Sequence, residues 1–189
     1  VYAHKGSASI TVTALGKAAH TSTEKGVSAN FLIAPFLARM AELVPVFRNT
    51  ERFKNQEFDP PTNGFNLTID DGDCRPNVTA DKTVAHMYLR LMPDDQREEQ
   101  IAMISEKAEA YNLGFDLHII EPFYIDPSAP IVQAACRAAG ISGAATVPFG
   151  TEAEAYQQVA QAVVLGPGAI AQAHTVGEWI DIGQLQAAV

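Results

Sequence analysis

The histidine at position 174 is the first residue whose setting suggests chemistry. It follows an apolar run that stops at Gly166-Pro167-Gly168, within the stretch VVLGPGAIAQAHTVGEWI from Val163 to Ile180. Gly and Pro together break a strand sharply, which delivers the side chains that follow to the rim of a sheet instead of its interior. An imidazole so placed is a candidate metal ligand, although a zinc site takes three or four protein ligands and one histidine needs partners. Cys74 and Cys136 are far apart and lack CxxC spacing, so they build neither a disulfide framework nor a zinc knuckle. Cys136 has no neighbouring base in sequence, which argues against a thiol nucleophile. By residue type alone His20 reads as a loop histidine, Arg90 as a solvated strand charge, Asn77 as a turn former and Gly150 as a helix-start glycine. His4, His86 and His118 read as structural or surface residues.

These residues need elements to hold them. From Ser7 to Leu15 the chain alternates, with Ile10, Val12 and Ala14 on one side and Ser9, Thr11 and Thr13 on the other, the period of a half-buried strand. The polar loop from Gly16 to Gly26 carries His20, and then Phe31, Leu32, Phe36, Met40, Leu43 and Val44 recur at helical spacing. Pro35 removes one backbone donor inside that helix and should kink it. Residues 48–64 end in Pro60-Pro61 and Asn63-Gly64, which is loop chemistry, and Phe65, Leu67 and Ile69 mark a second strand. After the turn residues DDGDCRP and Asn77-Val78 comes a longer strand, about Thr83 to Met92. Ala85, Met87, Leu89 and Leu91 form its core face, leaving His86, Tyr88 and Arg90 on the other for binding. Pro93-Asp94 opens a helix with the apolar stripe Ile101, Ile104, Ala108 and Tyr111, capped by Gly114. Phe115, Leu117 and Ile119 alternate as a last strand. The order over residues 7–120 is that of the ferredoxin-like βαββαβ sandwich, so the fold class is α+β.

After Glu121-Pro122 the pattern changes. Pro130 to Ala139 reads as a helix ended by Gly140, Ala145-Thr146-Val147 as a short strand, Gly150 to Gln158 as a turn into a helix, and Ala162 to Leu165 as a buried strand. These pieces alternate as α/β layers do, with too few strands to close a sheet. Two units are expected, residues 1–120 and an incomplete 121–189. Val1 in place of Met, and an uncapped GQLQAAV at the other end, lead to the expectation of a fragment.

Hydrophobic content of 47% over 189 residues is enough for one good core or two small ones. A formal net charge of -9, with no basic run, argues against a nucleic-acid partner. No apolar run approaches the ~20 residues that span a bilayer, so no membrane partner is expected. The cysteine usage fits a reducing cytoplasm.

Three stretches, in order along the chain, carry a resemblance. They are AHKGSASITVTALGKAAHTSTEKGVSAN, RPNVTADKTVAHMYLRLMP, and FGTEAEAY followed by VVLGPGAIAQAHTVGEW. Together they resemble the zinc-dependent amidohydrolases that include acetylornithine deacetylase, succinyl-diaminopimelate desuccinylase, carboxypeptidases of the glutamate type and aminoacylase, with the strongest likeness to acetylornithine deacetylase. The resemblance implies a ferredoxin-like lid at residues 1–120 that also makes a homodimer, followed by the closing part of an α/β catalytic domain.

What the resemblance implies for chemistry is hydrolysis of the amide of an N-acyl amino acid such as N-acetylornithine, in the setting of arginine biosynthesis. Two zinc ions, with cobalt as a substitute, would polarise the carbonyl and acidify a bridging water. His174 would be a metal ligand. His20 would donate a hydrogen bond to the tetrahedral oxyanion from the partner subunit, and Arg90 with Asn77, Gly150, Thr151 and Glu152 would hold the substrate. Arginine suits a carboxylate because its planar fork matches it bidentately. The chain departs from its relatives at Thr175-Val176-Gly177, where they have Gln-Pro-Asp, and at Tyr88, where an aspartate often precedes the arginine. On this expectation most metal ligands lie outside the fragment, which would be inactive alone. The alternative is a dimerisation or binding module that keeps the scaffold without chemistry.

Overall fold

A computed structural model describes residues 1–93 and 96–188. In chain order the elements are β1 (Ala3–His4), β2 (Gly6–Leu15), α1 (Ala29–Asn49), β3 (Phe65–Asp70), β4 (Lys82–Leu91), α2 (Gln96–Ala110), β5 (Gly114–Ile120), β6 (Phe123–Tyr124), α3 (Pro130–Ala139), β7 (Thr146–Val147), α4 (Ala153–Tyr156) and α5 (Ile182–Ala187). Asp94, expected at the start of the second helix, lies outside the described residues.

Alternation decides the larger sheet. Its strands run in the order β3-β4-β2-β5, every neighbouring pair antiparallel. One face is apolar: Ala8, Ile10, Val12 and Ala14 of β2 and Ala85, Met87, Leu89 and Leu91 of β4 are all buried. Onto it α1 sets Ile33, Phe36, Met40, Leu43 and Phe47, and α2 sets Ile101, Ile104 and Ala108. This is the ferredoxin-like sandwich, with both helices on one face. The opposite face, with Ser9, His86, Tyr88 and His118, is exposed.

The second sheet has three short strands in the order β6-β1-β7, with β1 antiparallel to β6 and parallel to β7. Ala3 and His4 therefore pair with segments more than a hundred residues away, and Lys5 alone separates this sheet from β2. A two-residue strand shows no periodicity, so sequence pattern cannot reveal it.

Four local expectations are corrected. Asn112, not Gly114, takes the left-handed position after α2 (φ 54°), and Leu113 N–H closes back on Ala108 O at 2.9 Å. Asparagine is second only to glycine there, and Gly114 is left to begin β5. Residues 162–165 form no strand, because Val164 exchanges hydrogen bonds only with Val1, at 2.6 and 3.1 Å, and a single bridged residue does not propagate a ladder. The helix expected within 150–158 is only the four residues of α4. Finally, α1 is 21 residues long and apolar enough, at a mean hydropathy of 1.4, to cross a bilayer by length and composition. It runs as one element through Pro35 and Pro45, which both lie on its exposed side, while its buried stripe faces the lid sheet.

Candidate functional site

The two sheets meet at Lys5, and a cleft of about 710 Å³ opens there. Lys5, Tyr88 and Arg90 line it from the lid, and Gly150, Thr151, Glu152 and His174 from the C-terminal segment. Arg90 reaches it because it is the last outward-facing residue of β4, opposite Ser7 on β2, with its backbone N–H fixed on Gly64 O at 2.8 Å. Its guanidinium is 5.2 Å from the Tyr88 ring centroid, two residues back on the same face. Among the described residues no carboxylate pairs with it.

Across the cleft the chain comes close. A Cβ on Gly150 would lie 3.8 Å from Arg90 Nη1 and 3.5 Å from Lys5 O. The Thr151 amide does not point to a ligand: it donates to His4 Nε2 at 3.2 Å. The Thr151 hydroxyl accepts from Ala153 N–H at 3.2 Å, opening α4, and keeps its own hydrogen to give. The Thr151 hydroxyl is therefore a donor this turn keeps, beside a guanidinium with no carboxylate partner among the described residues. Glu152 is exposed at the rim.

His20 and Asn77 are elsewhere. Thr21 N–H donates to Asn77 O at 3.0 Å, and His20 bridges to Val78, so the two residues are neighbours beyond the Leu15 and Lys82 end of the lid sheet. From Ser7 to Leu15 the strand advances roughly 26 Å, at about 3.3 Å per residue, so Asn77 cannot share a carboxylate with Arg90 of the same chain. Within one chain the expected grouping is therefore not formed: Asn77 precedes β4, and Arg90 stands near its far end. His20 is exposed, and Ser22 N–H donates to its Nδ1 at 3.4 Å. A backbone amide can only donate, so Nδ1 is unprotonated and Nε2 carries the hydrogen.

His174 lines the cleft in a left-handed conformation (φ 61°), its backbone N–H donating to Glu178 Oε2 at 3.1 Å. Among the described residues no group of three or more His, Cys, Asp and Glu could hold a metal ion. A single imidazole does not make a zinc centre, so the donor set of this chain does not by itself fit the expected pair of ions.

Residues 2–115 match the family model of the peptidase dimerisation domain. The chain belongs to that family. Acetylornithine deacetylase from Photorhabdus laumondii is 29% identical over 193 residues, covering 96% of this chain and 49% of that protein. The enzyme of the same name from Erwinia tasmaniensis is 32% identical over 193 residues, with the same 96% and 49% coverage. Among solved structures, aminopeptidase PepT from Bacillus cereus superposes with a TM-score of 0.56 at 20% identity, over 84% of this chain and 42% of that one. A hydantoinase/carbamoylase-family amidase from Burkholderia phymatum gives 0.56 at 16% identity, over 84% and 40%. These two likenesses show the fold. The chain spans about half the length of the curated relatives it matches.

The peptidase dimerisation domain thus carries Arg90 at one end and His20 at the other, and its N-terminal residues hold the far wall of the cleft. Two contributors, Lys5 and His4, were not expected at the cleft, and Tyr88 has a role there beyond its place on the binding face. Lys5, 1% exposed, donates to Pro60 O and Thr62 O at 2.7 Å each and fixes the loop beneath the cleft. Tyr88 supports the Arg90 guanidinium. His4, 0% exposed, engages the Thr151 turn, a partner 147 residues away that no sequence signal announces. Burial holds its imidazole below the ordinary pKa, with the Lys5 carbonyl and the Glu154 charge pulling the other way.

Proposed function

We propose that this chain supplies the substrate-carboxylate site of an amide hydrolase acting on N-acyl amino acids such as N-acetylornithine. The observation that carries this is Arg90: a half-buried guanidinium with no carboxylate partner among the described residues, facing the Gly150 turn across a cleft. A half-desolvated arginine left unpaired is a site for an anion, and its planar fork selects a carboxylate. The acetylornithine deacetylases among the relatives supply the reaction class.

In this proposal the substrate carboxylate lies on Arg90 and the Thr151 hydroxyl at the Gly150 turn, which directs the amide towards His174. The Nε2–H of His20 donates to the developing oxyanion, with Asn77 beside it, and both come from a second copy because their own chain holds them beyond the opposite end of a strand stretch roughly 26 Å long. The homodimer forms along β3, which pairs on one side only and carries the exposed Ile69. Zinc belongs to the proposed whole protein. This chain offers it one imidazole, and no step here runs through metal.

Ligand-observed NMR on the chain tests the proposal. N-acetylornithine should bind and N-acetylputrescine, the same molecule without its carboxylate, should bind far more weakly. Equal binding would overturn it. The lone imidazole favours a second reading, a dimerisation module without chemistry, for which neither compound binds.

A further inference from the structure

His4 is fully buried at the end of β1, between Phe123 of β6 (ring centroids 5.4 Å apart) and its register partner Val147 of β7. Both ring nitrogens are engaged. Nδ1 lies 3.1 Å from Lys5 O, and Nε2 lies 3.2 Å from Thr151 N. A carbonyl can only accept and an amide can only donate, so Nδ1 carries the hydrogen and Nε2 is bare. The ring is locked in one neutral tautomer. The Lys5 carbonyl that it contacts also lies beside the turn, since a Cβ on Gly150 would come within 3.5 Å of it.

We infer that His4 is a positioning residue, whose neutral imidazole ties the Gly150–Thr151 turn to Lys5, the residue between the two sheets, and so keeps that turn opposite Arg90. The inference rests on the proposed carboxylate site for its functional meaning, and on His4 geometry for the tie itself. A second proton on Nε2 would set donor against donor at the Thr151 amide. Among the described residues Glu154 on α4 is the carboxylate whose charge acts on the ring. Lys5, next in the chain, directs its ammonium to Pro60 O and Thr62 O. Neither hydrogen-bonds to the ring nitrogens, so Thr151 N–H and Lys5 O decide its state. Below the imidazole pKa the tie opens and the turn is freed, while the lid sheet keeps its own ladder.

Three chains decide the matter: the natural one, His4→Phe and His4→Gln. Phenylalanine keeps a ring against Phe123 and has no nitrogen, whereas glutamine can place an amide oxygen where Nε2 accepts. Backbone amide exchange, followed by NMR at pH 7.5, should be about five- to tenfold faster at Thr151 in His4→Phe, the worth of one net hydrogen bond. Exchange at Ile10 in the lid core should not change, and His4→Gln should restore most of the protection. In the natural chain Thr151 protection should fall with the titration of the His4 ring itself, which needs no variant to fold. Equal Thr151 protection in His4→Phe, loss spread evenly to Ile10, or protection independent of ring titration would each overturn the inference. Titration of the natural chain with N-acetylornithine separates the two levels. No binding with Thr151 still protected removes the carboxylate proposal and leaves the tie standing. Binding that weakens in His4→Phe and recovers in His4→Gln supports both.

Discussion

Replacing Arg90 by alanine removes the guanidinium that faces the Gly150 turn. A charge-assisted hydrogen bond contributes about 1.5 to 3 kcal/mol net, and the half-buried position of Arg90 keeps the loss towards the lower end, about 2 kcal/mol. That is roughly a thirtyfold rise in Kd for a carboxylate ligand. The fold should tolerate the change. What Arg90 gives the lid is its backbone bond to Gly64 O and a partly exposed cation–π contact worth about 0.5 to 1 kcal/mol. Calorimetric titration with N-acetylornithine and N-acetylputrescine isolates the carboxylate: alanine should weaken the first and leave the second unchanged. Lysine should recover only part of the loss, because it brings a point charge and not a fork. Unchanged affinity for N-acetylornithine in the alanine variant, at undiminished stability, would return Arg90 to an ordinary solvated strand face.

Other outcomes follow from the same geometry. Purified chain should retain no stoichiometric zinc after dialysis against a chelator, since His174 is the one imidazole offered by the cleft; a tight 1:1 zinc would show that other residues of the chain converge on it. Phe36→Ala should destabilise the lid by about 3 to 5 kcal/mol in urea unfolding, because its ring is 0% exposed beneath the sheet, and a loss below about 1 kcal/mol would mean that the core is not packed as described. The folded pKa of His4 is depressed, so the stability tied to its neutral form is present above its unfolded value of about 6.5 and is lost as pH falls through the lower folded value. Unfolding free energies at pH 7.5 and 5 should therefore differ less in His4→Phe than in the natural chain, and an identical difference would show that the His4 ring does not titrate against folding.

Much of the lid could be read in sequence because its signals are local. Alternation at Ala8, Ile10, Val12 and Ala14, and the helical spacing of Phe36, Met40 and Leu43, are consequences of geometry within one element. The second sheet was hidden for the opposite reason: β1 is two residues long, and its identity lies in Phe123 and Val147, far along the chain. The same limit applies to the site. Arg90 could be placed on the binding face of its strand, since period two decides that. Its separation from Asn77 could not, because residue types suited to one carboxylate say nothing about which end of the strand each occupies. His4 was set aside as structural or surface, for nothing in one sequence tells which amide meets a buried ring.

The separation of His20 from Arg90 and His174 is tested most directly by mixing subunits of the complete protein. Heterodimers of a His20→Ala subunit with a His174→Ala subunit keep one cleft with its own His174 and a partner that still carries His20. One working site per dimer, about half the natural turnover, is expected if the two ends of the lid serve two different clefts. Verified heterodimers no more active than either parent would contradict the arrangement and return His20 to an ordinary loop.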